Sequence, residues 1–495
     1  MPDKDTTEHL GATVAALETN RRVPLPASLS SLREKLQRKA KQEPSFRFYA
    51  LYDRISRTDV LRTAWEMVRI NRGAAGVDHV TILSLEETPG AVEALLSQLQ
   101  QELVGKNYRP LPIRRQYIPK ADGRQRPLGI PAIRDRIVQA ACLLILEPIF
   151  EADFLDCSFG FRPGRNAHQA LRTIHDDLAS GFTAVYDADL VGYFDSIPHN
   201  QLLKALSRRI ADRSVLHLIR LFLEAPIQER EPENPPDQGK GPGQPGRPQQ
   251  NGKTHHFNRL TKNRRGTPQG GVLSPLLANV YLHRLDRAFH HSQGPAVWAK
   301  ARLVRYADDF LILARYLSPR LLHWLERWVE GNMGLKINRQ KSRSLRLSEE
   351  GITLDFLGFT FSFRPDRYHR GGTYLRLAPS HQAVQRAKQR IRQLTEPQTG
   401  SLPLPDLIGR MNLFLSGWSG YFNLGYPKQA FRHIDWFVQC RLYRHLQRRS
   451  QRPCHFPAGS PPYHALQEMG LVYLSVPQFR VFRRAGCGKS ARPVR

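Results

Sequence analysis

The sequence predicts an α+β fold in which a region of mixed strands and helices is followed by a helical region. Up to about residue 365, short apolar strands bounded by turn residues alternate with amphipathic helices. Beyond Pro379 the pattern becomes helical and dense in Arg and Lys. Residues 229–263 are rich in Pro, Gly, Gln and Asn with few apolar residues, which predicts a flexible insertion rather than a folded element.

The charge balance indicates a polyanionic partner. Lys and Arg number 74 against 44 Asp and Glu, which gives a formal net charge of +30 and a pI near 10.4. Each phosphate that a cationic side chain neutralises releases counterions, so this balance favours nucleic acid. The sequence has no run of 18 apolar residues and no signal-peptide pattern, which argues against a membrane partner. We therefore expect a soluble intracellular protein.

Cysteine usage argues against a disulfide framework and against a zinc site. The five cysteines are far apart, and none forms a Cys-x-x-Cys pair: Cys142, Cys157, Cys440, Cys454 and Cys487. An odd number of widely spaced cysteines without such a pair indicates neither a disulfide framework nor a zinc site. Reduced structural thiols are the expectation.

The N-terminal part is predicted to be a loose arm followed by helices. Residues 1–30 are polar with scattered Pro, whereas the basic pattern over 31–72 is helical. Residues 59–70 give the clearest amphipathic helix of this part. A strongly apolar helix is predicted over 135–150.

A basic hairpin is predicted between these helical parts. Residues 108–120 alternate, Asp122-Gly123 is a hairpin turn signal, and a second strand follows to Pro131. Lys120 and Arg126 would then lie close together across the turn. Such a cationic hairpin could hold a triphosphate, or it could be a solvated hairpin face, and the spacing alone favours neither. The Arg-rich turn at 160–165 suits backbone phosphates.

Carboxylates mark the next predicted strand. Residues 182–190 have a strand pattern, and Asp187 and Asp189 lie two residues apart on one face of it. Asp189 is a candidate metal ligand, and Phe194 would lie close to a sugar bound there. We interpret Asp187 as an ordinary exposed strand residue.

A glycine-bearing loop precedes another predicted helix. In the loop, Gln269 stands before Gly270 and Gly271, so a base pair could lie against backbone there. Ser274 followed by Pro275 predicts the helix start, with Ser274 as the cap. A purely structural loop is the alternative, but the Pro-Gln-Gly-Gly pattern before a helix favours a functional one.

Two adjacent carboxylates are predicted at the tip of a second hairpin. Apolar runs flank Asp308 and Asp309 within residues 303–313, so both are expected in the turn. Asp is also a common turn residue, which is the alternative interpretation. Rigidly held like charges repel unless a cation joins them, and Mg²⁺ binds through one or two carboxylates together with substrate phosphates. With Asp189 as the third carboxylate, the pattern favours a nucleotidyl-transfer site.

The order of these blocks resembles the reverse transcriptase–maturases encoded by bacterial group II introns. The resemblance covers the chain from about Asn71 to Phe437. Nine blocks in the family's order carry it, at residues 73–78, 118–131, 160–165, 189–195, 266–275, 306–309, 334–341, 356–359 and 417–422. Any single block is weak evidence, but nine in order are specific.

The resemblance implies a right-hand polymerase. Fingers and palm with an antiparallel sheet would be followed by an α-helical thumb, also called the maturase or X domain. The implied divisions are a loose arm (1–30), N-terminal helices and fingers (31–180), a palm (181–365), the thumb (366–450) and a basic DNA-binding tail (451–495).

The resemblance also implies the roles of the site residues. Asp189 and Asp308 would bind two Mg²⁺ ions, with Asp309 assisting and Leu190 included in the metal site. Lys120 and Arg126 would hold the triphosphate. Gln269 would lie at the sugar of the incoming nucleotide, and Phe194 would be the steric gate that excludes a 2′-hydroxyl.

The implied partners are an intron RNA template, a DNA primer or target, and deoxynucleoside triphosphates. A bacterial, cytoplasmic protein that associates with the nucleoid on DNA is expected, and its basic thumb and N-terminal helices would bind intron RNA for splicing. The chain departs from the family at Asp189-Leu190-Val191, where Asp-Ile-Lys is usual, but no metal ligand is lost. The family's optional endonuclease uses Cys pairs, and their absence predicts that this chain does not cut the second strand.

Two other functions remain open on the sequence. A related reverse transcriptase could serve defence or another host role, and the flanking DNA would then contain no intron. A non-catalytic RNA chaperone could carry a relic polymerase site. Against the chaperone, the carboxylates, the triphosphate-binding cations and Gln269 are all present together.

Overall fold

The computed structural model describes residues 23–119, 125–230, 258–366, 372–449 and 462–475. The chain forms two compact units, and the first comprises Met1–Asp177 and Gly181–Ser344. The second comprises Leu178–Ser180 and Leu345–Arg495. Residues 345–365 therefore group with the helices that follow them, whereas the sequence placed the boundary between palm and thumb at residue 365.

The first unit packs its helices around one buried helix. In chain order its helices are α1 (Ala27–Gln42), α2 (Tyr52–Ile55), α3 (Thr58–Ile70), α4 (Ile82–Glu87), α5 (Ala91–Val104), α6 (Ile133–Glu151), α7 (Ala167–Ala179), α8 (Tyr193–Ser196), α9 (His199–Leu206), α10 (Arg213–Glu224), α11 (Ser274–Phe289), α12 (Pro295–Trp298) and α13 (Pro319–Glu326). A π-helical turn, Arg327–Asn332, continues α13.

The long helix α6 is the centre of this packing. Nearly all of its side chains are buried, and α1 and α3 pack against it. The predicted amphipathic face of α3 is the one that is buried, through Val60, Leu61 and Ala64 among others. Because α1 begins at Ala27, the last residues of the predicted loose arm are helical, and residues 1–22 lie outside the described part.

A four-stranded sheet forms the predicted basic hairpin and extends it. Its strands are β1 (Ile113–Pro119), β2 (Gln125–Ile130), β4 (Ile227–Arg230) and β5 (Asn258–Thr261), in the order β2-β1-β4-β5. β1 and β2 are antiparallel, with Ile118 opposite Arg126, as the hairpin prediction requires. The turn between them, with Lys120, lies outside the described residues.

The ends of the predicted flexible insertion are folded. β4 and β5 pair antiparallel, and β4 also pairs parallel with β1. The prediction of an unfolded segment from residue 229 to 263 is therefore wrong at both ends. Composition did not reveal these strands because four-residue strands gain their stability from the sheet that they join. Residues 231–257 lie outside the described part.

A second four-stranded sheet has largely buried central strands. Its strands are β3 (Ala184–Ala188), β6 (Arg302–Tyr306), β7 (Asp309–Ala314) and β8 (Arg343–Arg346), in the order β6-β7-β3-β8. β3 pairs antiparallel with β7, and Ala188 lies opposite Phe310. Asp189, the residue after β3, and Asp309, the first residue of β7, therefore lie at the same end of these two paired strands.

The second unit combines a small sheet with helices. The sheet has the order β11-β10-β9, from β9 (Leu354–Phe356), β10 (Phe359–Pro365) and β11 (Thr373–Pro379). The helices are α14 (His381–Leu394), α15 (Leu404–Tyr421), α16 (Lys428–Arg449) and α17 (Pro462–Glu468). Pro397–Thr399 is a short 3₁₀ turn between α14 and α15.

Part of the predicted basic tail is packed against these helices. The carboxylate of Asp435 on α16 accepts hydrogen bonds from the backbone N–H groups of Leu474 and Ser475, both at 2.8 Å. Asn412 on α15 bonds the backbone of Gly470 and Val472. Residues 462–475 therefore belong to the helical unit. Among the described residues, none of the helices is long and apolar enough to cross a membrane.

Candidate active site

The hairpin that carries the adjacent carboxylates has a two-residue turn. Tyr306 at the end of β6 pairs with Asp309 at the start of β7, so the turn consists of Ala307 and Asp308. The sequence placed both carboxylates in the turn, but Asp309 is the first residue of the strand. Ala307 has a φ of +57°, which a side chain other than Gly seldom adopts. The surrounding structure must hold this turn in place.

The side chain of Arg305 supports the turn through buried polar contacts. Its side chain is completely buried and forms a two-pronged ion pair with Asp286 on α11, at 3.0 and 2.6 Å. One guanidinium nitrogen, Nη1, also donates to Asn279 Oδ1 at 2.8 Å and to the carbonyl of Ala307 at 2.9 Å. This arrangement joins the turn that carries Asp308 directly to α11.

Residues 157–160 pack against the turn and against the end of β6. Backbone hydrogen bonds of 2.8 Å run from Phe159 N–H to the Arg305 carbonyl and from Arg305 N–H to the Cys157 carbonyl. A Cβ atom at Gly160 would collide with the backbone of Ala307, so only Gly allows this approach. The carbonyl of Gly160 accepts a hydrogen bond from Asn279, at 2.9 Å.

The Arg-rich turn at 160–165 uses its two arginines differently. Arg162 is buried and forms an ion pair with Glu151 at 2.7 Å, and it also donates to the carbonyls of Leu155 and Ser158. Arg165 pairs with Asp156. Arg162 is therefore used within the fold, whereas a phosphate contact of Arg165, whose partner Asp156 is exposed, stays a prediction.

Asp189 is positioned by a segment that the sequence did not single out as functional. It follows β3, and its Oδ2 atom accepts a hydrogen bond of 2.8 Å from the amide of Asn338. Its backbone N–H donates to Ser342 Oγ at 3.0 Å, and Lys341 Nζ lies 3.9 Å from the same carboxylate. The block at 334–341 was the available signal, but its contacts with Asp189 could not be inferred from spacing.

The three carboxylates lie in one electrostatic cluster. Burial raises the pKa of Asp308, and the charge of Asp189 raises it further, while the charge of Arg126 lowers it. Burial, together with the charges of Asp308, Asp189 and Asp187, raises the pKa of Asp309 to about 7. Asp309 keeps an exposed surface, so solvent moderates this shift and a cation can reach the carboxylate.

The donor set fits a hard divalent cation that is shared with a substrate. In the described ranges, no three His, Cys, Asp or Glu side chains enclose a metal ion by themselves. Mg²⁺ commonly takes one or two carboxylates and completes its coordination with water and substrate phosphates. Leu190 can contribute only its carbonyl oxygen, because its side chain is apolar and buried in the core.

The loop with Gln269 is pressed against the basic hairpin. The Gln269 carbonyl accepts a 2.6 Å hydrogen bond from Gly129 N–H on β2. A Cβ atom at Gly270, whose φ is +114°, would collide with the Gly129 carbonyl. Ser274 is the first residue of α11 and donates through Oγ to the Pro268 carbonyl at 2.8 Å. Its predicted capping role is therefore wrong, and it fixes the loop instead.

Phe194 lies at the base of the same loop. It is partly buried on α8, with its ring 6.3 Å from the ring of Phe161. Its carbonyl accepts a 2.7 Å hydrogen bond from Thr267 N–H, two residues before Gln269. The structure thus connects Phe194 to the loop of Gln269 and places the charge of Arg126 near Asp308. Lys120 lies outside the described residues.

The matches to family models fall on these regions. Residues 118–361 match the model described as "Reverse transcriptase (RNA-dependent DNA polymerase)", and residues 384–456 match "Group II intron, maturase-specific domain". The chain belongs to the group II intron reverse transcriptase–maturase family. The first match contains the carboxylate cluster, and the second contains most of α14 to α16.

Curated relatives agree with this membership. Protein YkfC of Escherichia coli strain K12 is 33% identical over 375 residues, which cover 69% of this chain and 90% of that protein. The group II intron-encoded protein LtrA of Lactococcus lactis subsp. cremoris is 35% identical over 256 residues. That match covers 51% of this chain but only 37% of LtrA.

A telomerase structure from Candida albicans has a TM-score of 0.37 at 12% identity and covers 71% of this chain and 62% of that chain. The predictions of a mixed α+β polymerase fold with a helical C-terminal region, of RNA-directed DNA polymerase activity and of a maturase region are confirmed by the family matches. Such enzymes use divalent metal ions, and their domains imply RNA and DNA as partners.

Proposed function

We propose that this chain copies the RNA of its own group II intron into DNA and also binds that RNA to promote splicing and mobility. The carboxylate cluster of Asp189, Asp308 and Asp309 is the observation that carries the polymerase part. The three side chains come from the adjoining ends of β3 and the β6–β7 hairpin. The charge of Asp189 raises the pKa of Asp308, and the charges of Asp189 and Asp308 raise the pKa of Asp309. A cation is what relieves such repulsion.

Each residue of the site has a definite role in this proposal. Asp189 and Asp308 hold two Mg²⁺ ions, and Asp309 assists them, with the Leu190 carbonyl as a further ligand. When bound, the metal ions lower the pKa of the primer 3′-hydroxyl and stabilise the charge on the transferred phosphate and the leaving pyrophosphate. The amide of Asn338 orients the Asp189 carboxylate, and Arg305 fixes the turn of Asp308.

The nucleotide would lie between the basic hairpin and the loop of Gln269. Arg126, with Lys120, would hold the triphosphate, because guanidinium and ammonium groups bind phosphate oxygens strongly. Gln269 would lie at the sugar, and Phe194 would occupy the space of a 2′-hydroxyl. The contact between Gly129 and Gln269 supports this arrangement, because it fixes both walls of the site to each other.

Primer extension tests the polymerase part. The wild-type protein and the variant with Asp308→Ala and Asp309→Ala are given an RNA template, a DNA primer, Mg²⁺ and deoxynucleotides, and both are tested for splicing of the flanking RNA. Extension by the wild type alone, with splicing promoted by both proteins, supports separate polymerase and maturase surfaces. If the wild type binds structured RNA but does not extend the primer, the chaperone alternative is favoured. If it extends the primer but the flanking DNA encodes no intron RNA, a host role is favoured.

Metal binding should depend on pH. The raised pKa of Asp309, about 7, means that a proton must leave before a cation binds at pH 6 but not at pH 8. The Mg²⁺ concentration that raises the Tm by a given amount should therefore increase by up to about tenfold per pH unit below pH 7. Thermal melts with Mg²⁺ and with EDTA measure this rise.

The same raised pKa also makes the stability of the metal-free protein depend on pH. A raised native pKa stabilises the folded state below the unfolded pKa, and this contribution is lost as the pH rises toward about 7. Mg²⁺ should therefore raise the Tm more at pH 8 than at pH 6. Asp309→Asn should remove most of this difference. An equal Mg²⁺ requirement at both pH values in the wild type would show that Asp309 does not titrate with metal binding.

Sugar selection should depend on the size of the side chain at position 194. Phe194→Val opens space beside the loop of Gln269, so ribonucleotides should be incorporated more readily, by about 10- to 100-fold relative to deoxynucleotides. Phe194→Tyr keeps the bulk and is the matched control. The measurement is the ratio of kcat/KM for a ribonucleotide and a deoxynucleotide. An unchanged ratio in Phe194→Val would assign the steric gate to another residue.

A further inference from the structure

Exposed aromatic residues and arginines form a strip along α16 in the second unit. We define this aromatic–basic strip by Tyr426, Arg432, Trp436, Tyr443 and Arg444. Trp436 is 64% exposed, Tyr426 51% and Tyr443 41%, and both arginines are exposed. Large aromatic side chains usually lie in the core, so three of them exposed on one region of a helical domain indicate a binding surface.

The spacing places these side chains on one face. Trp436 and Tyr443 are seven residues apart, which is two helical turns or about 10.5 Å along the axis. Arg432 lies one turn before Trp436 on the same side. The opposite face of α16 is buried through Ile434, Val438 and Leu442, so the strip is not part of the core.

The strip continues onto the small sheet. Arg376 on β11 donates a 2.9 Å hydrogen bond to the side chain of Gln429, which lies two turns before Trp436 on α16. The ring of Tyr426 lies 5.5 Å from the ring of Tyr374, also on β11. The exposed surface therefore extends beyond a single helix.

The aromatics that the sequence singled out have another role. Trp418, Tyr421 and Phe422 lie in the block at 417–422, and Trp418 and Phe422 are buried. The ring of Phe422 lies 5.1 Å from that of Phe359 on β10, and the Tyr421 hydroxyl bonds the Leu357 carbonyl. These contacts leave Trp436 and Tyr426 as the more exposed aromatics of this unit.

The charge near the strip favours an anionic partner. Asp435 is the acidic residue of α16, and its carboxylate is used internally by Leu474 and Ser475. Burial lowers the pKa of Arg441, and the charges of Arg448, Arg392 and Arg444 lower it further. This shift reflects a high concentration of positive charge. A polyanion with exposed planar groups fits such a surface better than an apolar protein partner does.

We propose that the aromatic–basic strip binds unpaired bases of structured RNA, with Trp436 as the principal stacking platform. Bases in loops and bulges can stack on aromatic rings, whereas paired bases inside a helix cannot. Arg432 and Arg444 would contact the neighbouring phosphates. The inference rests on the maturase part of the proposed function and assigns its RNA contact to a defined surface outside the polymerase site.

Two probe RNAs test the proposal with the full-length protein. One is a hairpin with an unpaired loop of about ten nucleotides, and the other is a fully paired duplex of equal length. Trp436→Ala should weaken binding of the loop RNA by about tenfold, as expected for the loss of one stacked base, and should leave duplex binding within about twofold. Trp436→Phe should retain most of the loop affinity. Arg432→Gln should reduce the salt dependence of loop binding by about one phosphate contact.

Matched controls separate the strip from general effects. Tyr316 is 62% exposed in the first unit, so Tyr316→Ala removes a similar aromatic surface elsewhere and should not change binding of the loop RNA. Circular dichroism melts should show unchanged folding for both truncations, because neither side chain is buried.

Three outcomes would overturn the proposal. Unchanged loop binding by Trp436→Ala would exclude stacking on this residue, and equal losses on both RNAs would show a phosphate contact without base recognition. Loss of primer extension with retained loop binding would assign the strip to the primer–template duplex. Because the probe RNAs report binding without catalysis, a wild type that does not extend primers would count against the polymerase proposal alone.

Discussion

Asp308→Asn should reduce primer extension by at least about a thousandfold, because loss of a metal-binding charge removes several kcal/mol of transition-state stabilisation. Asp308 lies in the two-residue turn at the cluster, and the charge of Asp189 is near enough to raise its pKa. The substitution is nearly isosteric, so the fold should persist. Single-turnover extension of a DNA primer on an RNA template measures the effect.

The matched control for this variant lies on the adjacent strand. Asp187 lies on β3, two residues before Asp189, and its carboxylate accepts a hydrogen bond of 3.3 Å from Arg343 Nε. Asp187→Asn should change the extension rate by less than about threefold, because a partly exposed ion pair of this kind contributes at most about 1 kcal/mol. Comparable losses in both variants would contradict the assignment of Asp308 as the metal ligand.

The second large effect is expected at Arg305. Arg305→Met leaves the fully buried carboxylate of Asp286 without its ion pair, and removal of one partner of a buried pair typically costs about 3–5 kcal/mol. The variant should therefore unfold at a markedly lower temperature or denaturant concentration. It should also lose extension activity below that temperature, because the Ala307 carbonyl loses the donor that fixes the turn.

A double variant and a surface variant make this test specific. Replacement of both partners, Arg305→Met with Asp286→Leu, removes the unpaired charge and should recover much of the free energy of unfolding. Arg302 lies three residues earlier on β6, and its side chain is 60% exposed and 3.9 Å from Asp177. Arg302→Met should cost less than about 1 kcal/mol. Equal free energies of unfolding for Arg302→Met and Arg305→Met would show that the buried ion pair does not support the turn.

Local patterns in the sequence predicted several elements of the site correctly. The hairpin around Asp308, the start of α11 near Ser274 and the β1–β2 hairpin were all found. Each depends on short-range effects, namely alternating burial, turn preferences and the fixed φ of proline. Such effects operate within a few residues, so they can be inferred without knowledge of the partners.

Long-range contacts could not be predicted in the same way. Asn338 and Ser342 bind Asp189 across about 150 positions of sequence, and β4 and β5 join β1 after a long separation. The burial of Arg162 against Glu151 was likewise invisible, because an arginine in a turn is usually exposed. All of these contacts depend on which surfaces pack together in the folded chain.

The sequence by itself determined the family, the three candidate carboxylates and the order of the two regions. Motif order and local periodicity contain this information directly. The tertiary structure alone decided that Arg305, Asp286 and Asn279 support the turn, and that Trp436 is exposed. Both outcomes depend on burial, and burial is a property of the assembled fold, because the same residue types occur in the core and on the surface.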